Sequence, residues 1–160
     1  RTYLSLLIKL PYICLVIFSK ACEYGLRATL YIAMNSLEHR RVSLRKIAGK
    51  IDSPEAFTAK ILQQLVHHQI IQSVKGAQGG FEIDAEKLKT LSLGQIITAI
   101  DGEGVLNHCV MGLHACSEEH PCPAHATYKD IRANFKTMLD QTSIQALSLD
   151  LEAGHTFLKQ

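Results

Sequence analysis

The sequence contains no tryptophan and no uninterrupted apolar run long enough to cross a membrane. A membrane-spanning helix needs about 20 mostly apolar residues, and Lys9 and Pro11 interrupt the apolar stretch over residues 1–18. This stretch also lacks the small-x-small cleavage site of a signal peptide. We expect residues 1–18 to be a dispensable extension or a misplaced start, with a membrane anchor as the less favoured alternative.

The short motifs of common enzyme classes are also absent. The sequence has no Gly-rich nucleotide loop, no H-E-x-x-H pair and no nucleophile elbow. Glu118 and Glu119 could act as acid–base residues beside a metal, but no pattern places them for that role. We therefore expect no catalytic residues and no small-molecule substrate, and a metalloenzyme is the least favoured interpretation.

The net charge is only +2, but the charges are unevenly distributed. Residues 40–76 hold seven basic residues against two acidic ones, whereas the rest of the chain holds ten basic residues against thirteen acidic ones. A local basic surface of this kind is typical of a protein that contacts phosphates. A solvated charged face is the alternative.

Three of the five cysteines lie in one short segment, residues 108–125, HCVMGLHACSEEHPCPAH. Cys109, Cys116 and Cys122 have a C-x6-C-x5-C spacing, and His125 follows three residues later. Glycine and proline break any regular period, so the segment is predicted to be a loop. Its thiol and imidazole groups indicate a metal ion or metal cluster. Clustered, odd-numbered cysteines suit a reducing, cytoplasmic protein better than a secreted disulfide scaffold.

Periodicity and capping residues predict a mainly α fold with a small β-hairpin. Ser53 is expected to cap a helix, with Pro54 at its first position. A glycine-rich turn over residues 76–80 is expected to join two strands. The predicted helices cover residues 19–37, 43–51, 53–68 and 91–100, and the predicted strands cover residues 70–75 and 81–83.

The longest periodic segment covers residues 126–149. Alternating three- and four-residue steps join Tyr128, Ile131, Phe135, Met138, Thr142, Gln145 and Leu149. A heptad-like seam of this length predicts one long helix that pairs with a second copy of the chain. A helix that lies along its own domain is the alternative.

The elements together predict a winged helix-turn-helix domain over residues 19–104 that binds double-stranded DNA. Residues 105–125 form the Cys/His loop, and residues 126–160 form a dimerisation helix and tail. The helix over residues 53–68 is expected to enter the major groove, while the hairpin contacts the neighbouring backbone or minor groove. The expected contacts are Arg45, Lys46, Ser53, Glu55, Ala56, Thr58, Ala59, Lys60 and Gln63 from the helices, and Lys75, Gly76, Gln78, Gly79 and Gly80 from the wing.

Three segments, SKACEYGLRATLYIA, SPEAFTAKILQQL and SVKGAQGGF, together with the three-cysteine loop, resemble one family. It is the IscR/NsrR-type, or Rrf-two, family of bacterial winged-helix transcription factors. The resemblance implies that Cys109, Cys116 and Cys122 hold an iron–sulfur cluster that modulates operator binding by a homodimer. Iron, redox or nitric oxide status would be the signal. A two-iron cluster is favoured over a four-iron cluster, and structural zinc or a thiol–disulfide switch remains an alternative.

The resemblance leaves the fourth ligand and the operator open. His125 matches the histidine ligand of IscR-like members, and Glu23 of the partner subunit matches the acidic ligand of NsrR-like members. The first cysteine gap has six residues, where five are commoner in the family. Ala59 and Lys60 replace a base-reading glutamate and glutamine, so the operator sequence cannot be transferred.

Overall fold

The structure is a computed structural model that describes residues 17–114 and 116–158. The expectation for residues 1–18 therefore lies almost wholly outside the described residues. No helix in the described part of the chain is long and apolar enough to cross a membrane. The elements are α1 Lys20–Leu37, α2 Leu44–Ile51, α3 Glu55–His67, β1 Gln72–Val74, β2 Gly80–Glu82, α4 Ala85–Thr90, α5 Leu93–Asp101, a 3-10 helix Glu103–Leu106, α6 His125–Gln141 and α7 Ile144–Glu152.

Helix α1 lies at the centre and packs against α2, α3, α5 and α7. It starts at Ser19, whose hydroxyl accepts the N–H of Cys22 and satisfies one free donor of the first turn. Ala28, Ile32 and Ala33 form its fully buried stripe. The main core gathers around this stripe, and the helix therefore positions the other elements of the domain.

The hairpin pairs β1 with β2 in antiparallel register, with Ser73 opposite Phe81. Phe81 also exchanges two backbone hydrogen bonds with Val42, at 2.8 and 3.1 Å, so the segment before α2 extends this small sheet. The mainly helical fold with a β-hairpin is confirmed. Helix α4, which Asp84 caps, was not predicted, because six residues are too few to show a helical period.

The long C-terminal helix differs from its prediction. Helix α6 ends at Gln141, and α7 begins at Ile144. Between the two helices, the Leu93 N–H donates a hydrogen bond to Thr142 O, and the Ile144 N–H donates one to Leu91 O. Ser143 caps α7. Gln145 and Leu149 therefore lie on α7. The first four residues of the predicted seam, Tyr128, Ile131, Phe135 and Met138, lie on α6.

Candidate functional site

Helices α2 and α3 form the predicted helix-turn-helix pair. Asp52 adopts a left-handed conformation with φ of 58° and ends α2, and the N–H of Ser53 donates to the carbonyl of Ala48 at 3.0 Å. Ser43 caps α2 as predicted, accepting the N–H of Lys46. This tight turn joins α2 to α3, and α3 presents one face to solvent.

The start of α3 differs from its prediction by about one residue. Pro54, with ψ of 135°, occupies the N-cap position, and no side chain caps the helix. The hydroxyl of Ser53 is buried without a hydrogen-bond partner. The first N–H groups of α3 therefore remain free of side-chain partners, which suits a helix end that meets phosphate.

The exposed face of α3 carries most of the residues predicted to contact DNA. Glu55, Ala56, Lys60 and Gln63 are exposed, and Ala59 is half-buried. Thr58 is the exception, because its side chain is fully buried and its hydroxyl donates to Pro54 O at 3.0 Å. Position 58 lies on the same side of the helix as Ile61, Leu62 and Leu65, and it therefore belongs to the core instead of the DNA-facing surface.

The wing exposes a basic, glycine-rich turn. Lys75, Gly76 and Gln78 are exposed. Gly76 has φ of 110°, a conformation that favours glycine, and a Cβ on Gly79 would lie 2.3 Å from Val74 O. The turn therefore requires both glycines, and at these two positions no side chain blocks a close approach of the backbone to a polyanion.

Exposed basic side chains lie on the three elements predicted to contact DNA. Arg45, on the exposed side of α2, has 92% of its side chain exposed and lies 4.0 Å from the Glu55 carboxylate. Lys46 is exposed one residue further along. The structure thus places Arg45, Lys46, Lys60 and Lys75 on exposed parts of α2, α3 and the wing, as the sequence predicts for a phosphate-facing surface.

The Cys/His loop is irregular over residues 107–114 and 116–124, as predicted, and it brings the four ligand candidates together in two pairs. The Cys109 and Cys122 Sγ atoms are 3.6 Å apart. The Cys116 Sγ atom is 3.4 Å from Nδ1 of His125, the first residue of α6. Within residues 17–114 and 116–158, no three His, Cys, Asp or Glu side chains surround a single point suitable for one metal ion.

The backbone of the loop favours a thiolate at its first cysteine. Hydrogen bonds from the backbone N–H groups of Leu113 and Met111 lower the pKa of the Cys109 thiol. Gly112, between them, has φ of 71° and shapes this turn. A thiolate is the form of cysteine that binds metal. By contrast, burial raises the pKa of the Cys22 thiol to about 12, which keeps Cys22 neutral in the core.

Glu23, the alternative fourth ligand, lies on α1. Its carboxylate contacts the Lys20 ammonium at 2.7 Å. His125 lies beside Cys116 within the same chain, whereas a role for Glu23 would require the second copy. His114 and His120 are exposed.

Two contacts between the loop and α6 could not be found from sequence spacing. Lys129 pairs with Glu118, and an Arg132 guanidinium N–H reaches the carbonyl of Asn107 at 3.5 Å. Both contacts join positions eleven or more residues apart across an irregular loop, so no helical or strand period indicates them. They hold two parts of the loop against the first turns of α6.

The helix-turn-helix, its exposed second helix and the glycine wing define a winged-helix DNA-binding protein, as predicted. A family profile for Rrf2, an iron-dependent transcriptional regulator, matches residues 18–150. The chain belongs to this family. Its relatives are transcriptional regulators, which confirms the prediction that it is not an enzyme.

Individual relatives agree with this assignment. The chain is 30% identical over 144 residues to an HTH-type transcriptional regulator of Aquifex aeolicus, covering 89% of this chain and 97% of that protein. It is 24% identical over 130 residues to the regulator IscR of Aliivibrio salmonicida, covering 81% and 76%. The fold is similar to that of CymR, the global cysteine regulator of B. subtilis, with a TM-score of 0.68, 22% identity and coverage of 88% and 98%.

Proposed function

We propose that the protein is a homodimeric regulator whose operator binding is modulated by an iron–sulfur cluster held by Cys109, Cys116, Cys122 and His125. The single observation that carries the proposal is the arrangement of these donors in two close pairs. A cluster supplies a redox-active group that can report iron, redox or nitric oxide status.

The two pairs suit two metal ions better than one, because within residues 17–114 and 116–158 no three donors surround a single point. With metal–sulfur bonds of about 2.3 Å, two thiolates on a tetrahedral ion lie about 3.8 Å apart, close to the 3.6 Å between Cys109 and Cys122. With a metal–nitrogen bond of about 2.0–2.1 Å, a thiolate and an imidazole lie about 3.5 Å apart, close to the 3.4 Å between Cys116 and His125. A two-iron cluster takes two protein ligands at each iron. A structural zinc ion would need all four donors around one point.

Apolar packing connects this loop to α1 of the proposed DNA-binding domain and to α6. Leu106, three residues before Cys109, packs with Cys22 of α1 and Leu139 of α6 in a second apolar cluster. A shift of the loop that moves Leu106 would change the packing of α6 against α1. Because paired half-sites lie about one turn of DNA apart, a small change in the spacing of two α3 helices would alter operator affinity.

The homodimer rests on the exposed apolar face of α6. Ile131 and Met138 are 58% and 46% exposed, and Phe135 is half-buried between them along the helix. These large apolar side chains, two exposed and one half-buried, lie at i, i+4 and i+7 and form an apolar stripe whose contact with water is unfavourable. A second copy of α6 would cover this stripe and bring two α3 helices into one assembly.

The cluster is tested by anaerobic purification, iron and sulfide counts and visible absorption. We expect two irons and two sulfides per chain, and four of each would indicate the alternative four-iron cluster. Zinc without sulfide would support the structural-zinc alternative. A colourless protein without iron after reconstitution would contradict any cluster.

The ligand set is tested by substitution in the same assay. His125→Ala should lose the cluster or change its absorption, while His114→Ala, at an exposed position in the same loop, should leave both unchanged. Loss of the cluster in Glu23→Gln with a normal cluster in His125→Ala would instead assign the partner subunit's Glu23.

A further inference from the structure

We propose that Cys109 and Cys122 form an intramolecular disulfide when the loop holds no metal, and that this disulfide prevents the loop from taking up a cluster. Their Sγ atoms are 3.6 Å apart. A disulfide bond is about 2.05 Å long, so bond formation requires the sulfurs to approach by about 1.5 Å. This pair joins the first cysteine to the third and omits the central one.

The arrangement of Cys116 explains why it is omitted. Its Sγ contacts the His125 ring nitrogen at 3.4 Å, and His125 is fixed at the first position of α6. Cys109 and Cys122 instead contact one another directly. The loop between them contains Gly112 in a left-handed conformation with open space around it, so the backbone can yield slightly without a steric clash.

An oxidant can reach the pair from one side. Cys122 lines an open cleft of about 570 Å³ together with Pro121, Pro123 and His125, whereas Cys109 is 6% exposed. We name a small organic hydroperoxide as the oxidant class. One sulfur attacks a peroxide oxygen, the O–O bond breaks and an alcohol leaves. The second sulfur then displaces water from the resulting sulfenic acid. The two thiols together lose two electrons and two protons to one hydroperoxide.

The consequence rests partly on the proposed function. The disulfide removes one donor pair, two of the four proposed ligands, because a disulfide sulfur no longer binds metal as a thiolate. A thiol reductant would restore both ligands. The oxidised loop would therefore remain without metal even when iron and sulfide are supplied.

The pairing is tested on the full chain, in a Cys14→Ser background, after metal removal by a chelator. The protein is treated with tert-butyl hydroperoxide, its free thiols are blocked with a maleimide, and it is cleaved after glutamate. Cleavage at Glu118 and Glu119 separates Cys122 from the fragment that carries Cys109 and Cys116. Mass spectrometry should find the two fragments linked, with the maleimide on Cys116.

Variants provide the matched controls. Cys116→Ser should keep the linked fragments, while Cys109→Ser and Cys122→Ser should lose them. A maleimide on Cys109 in the linked species, or loss of the link in Cys116→Ser, would overturn the pairing. The absence of any linked fragment would overturn the disulfide itself, and the maleimide position decides the pairing in the unsubstituted loop even if a variant folds poorly.

A second measurement separates this proposal from the cluster. Oxidised and re-reduced chains are compared for cluster uptake from iron and sulfide, and only the re-reduced chain should take one up. If the reduced chain takes up no cluster but the linked fragments form, the proposed function fails and the disulfide stands. If the oxidised chain takes up a full cluster, the claim that the disulfide blocks loading is wrong.

Discussion

The ring of Phe18 stacks on the ring of Phe135, with centroids 6.1 Å apart and planes inclined by 16°. Phe18 immediately precedes the N-cap of α1, and Phe135 lies in the second half of α6. Both border the apolar cluster formed by Cys22, Ile97, Leu106 and Leu139. The helix expected to form the dimer is therefore attached to the DNA-binding domain directly beside the Cys/His loop.

Removal of this stacking should destabilise the chain. Phe135→Ala leaves a gap against Phe18 and Leu139, and since Phe135 is only half-buried we expect a decrease of about 2 kcal/mol in the free energy of unfolding. Urea unfolding measures the change. Phe157→Ala is the control, because Phe157 is 77% exposed, and an equal decrease in both variants would contradict the role of the stack.

The exposed face of α6 predicts a charge-sensitive dimer. Ile131→Glu should convert the proposed dimer to a monomer, because each copy would bury an unpaired carboxylate at the proposed interface. Sedimentation velocity and DNA binding should both report the change. Ala133→Glu places the same charge on the opposite side of α6, and it should leave the dimer intact. Dimers of Ile131→Glu at wild-type affinity would place the interface elsewhere.

Thr58 is buried, whereas Lys60, two residues further along α3, is exposed, so we expect different effects from substituting them. Thr58→Val keeps the shape but removes the hydrogen bond to Pro54 O, so we expect about 1 kcal/mol less stability and unchanged DNA affinity. Lys60→Gln should lower DNA affinity and, by removing one positive charge expected to face phosphate, reduce the slope of log affinity against log salt by about 1. A large decrease in the DNA affinity of Thr58→Val at wild-type stability would show that Thr58 reaches DNA.

Two glycine substitutions should have opposite effects on stability. Gly79→Ala would place a methyl group 2.3 Å from Val74 O, and distortion of the wing turn should cost about 1–2 kcal/mol. Gly49→Ala should stabilise by about 0.5–1 kcal/mol, because Gly49 is exposed within α2 and a Cβ there meets nothing within 4 Å. Thermal unfolding checks both, and a stabilised Gly79→Ala would show that the turn accepts a side chain.

The buried thiol of Cys22 predicts a loss of stability at high pH. Burial, and next the nearby Asp101 carboxylate, raises the pKa of Cys22 to about 12. Because folding raises this pKa, the contribution of the thiol to stability is fully present below the pKa of the unfolded thiol, about 8.5. That contribution is lost as the pH rises towards 12. Between pH 8 and pH 10, the free energy of unfolding of the wild type should decrease by about 1–2 kcal/mol relative to that of Cys22→Ala. A constant difference in urea unfolding would contradict the raised pKa.

Much of the fold is determined locally and could be predicted. Helices α1 and α2 follow from serine caps and from apolar residues at helical spacing, and the hairpin follows from glycines between alternating strands. The spacing of Cys109, Cys116, Cys122 and His125 identifies a ligand-rich loop without any structure. These features depend on residues within a few positions of each other, so their patterns are visible in the sequence.

The sequence by itself therefore determined the helix-turn-helix, the wing and which residues make up the Cys/His loop. Tertiary structure decided the rest through contacts between distant residues. The Leu93 N–H donates to Thr142 O and Leu91 O accepts from Ile144 N–H, so α6 ends before Ser143, although the heptad spacing continues to Leu149. Core packing turns Thr58 inward. The path of the loop pairs Cys109 with Cys122 and Cys116 with His125, because an irregular backbone has no period from which such partners can be read.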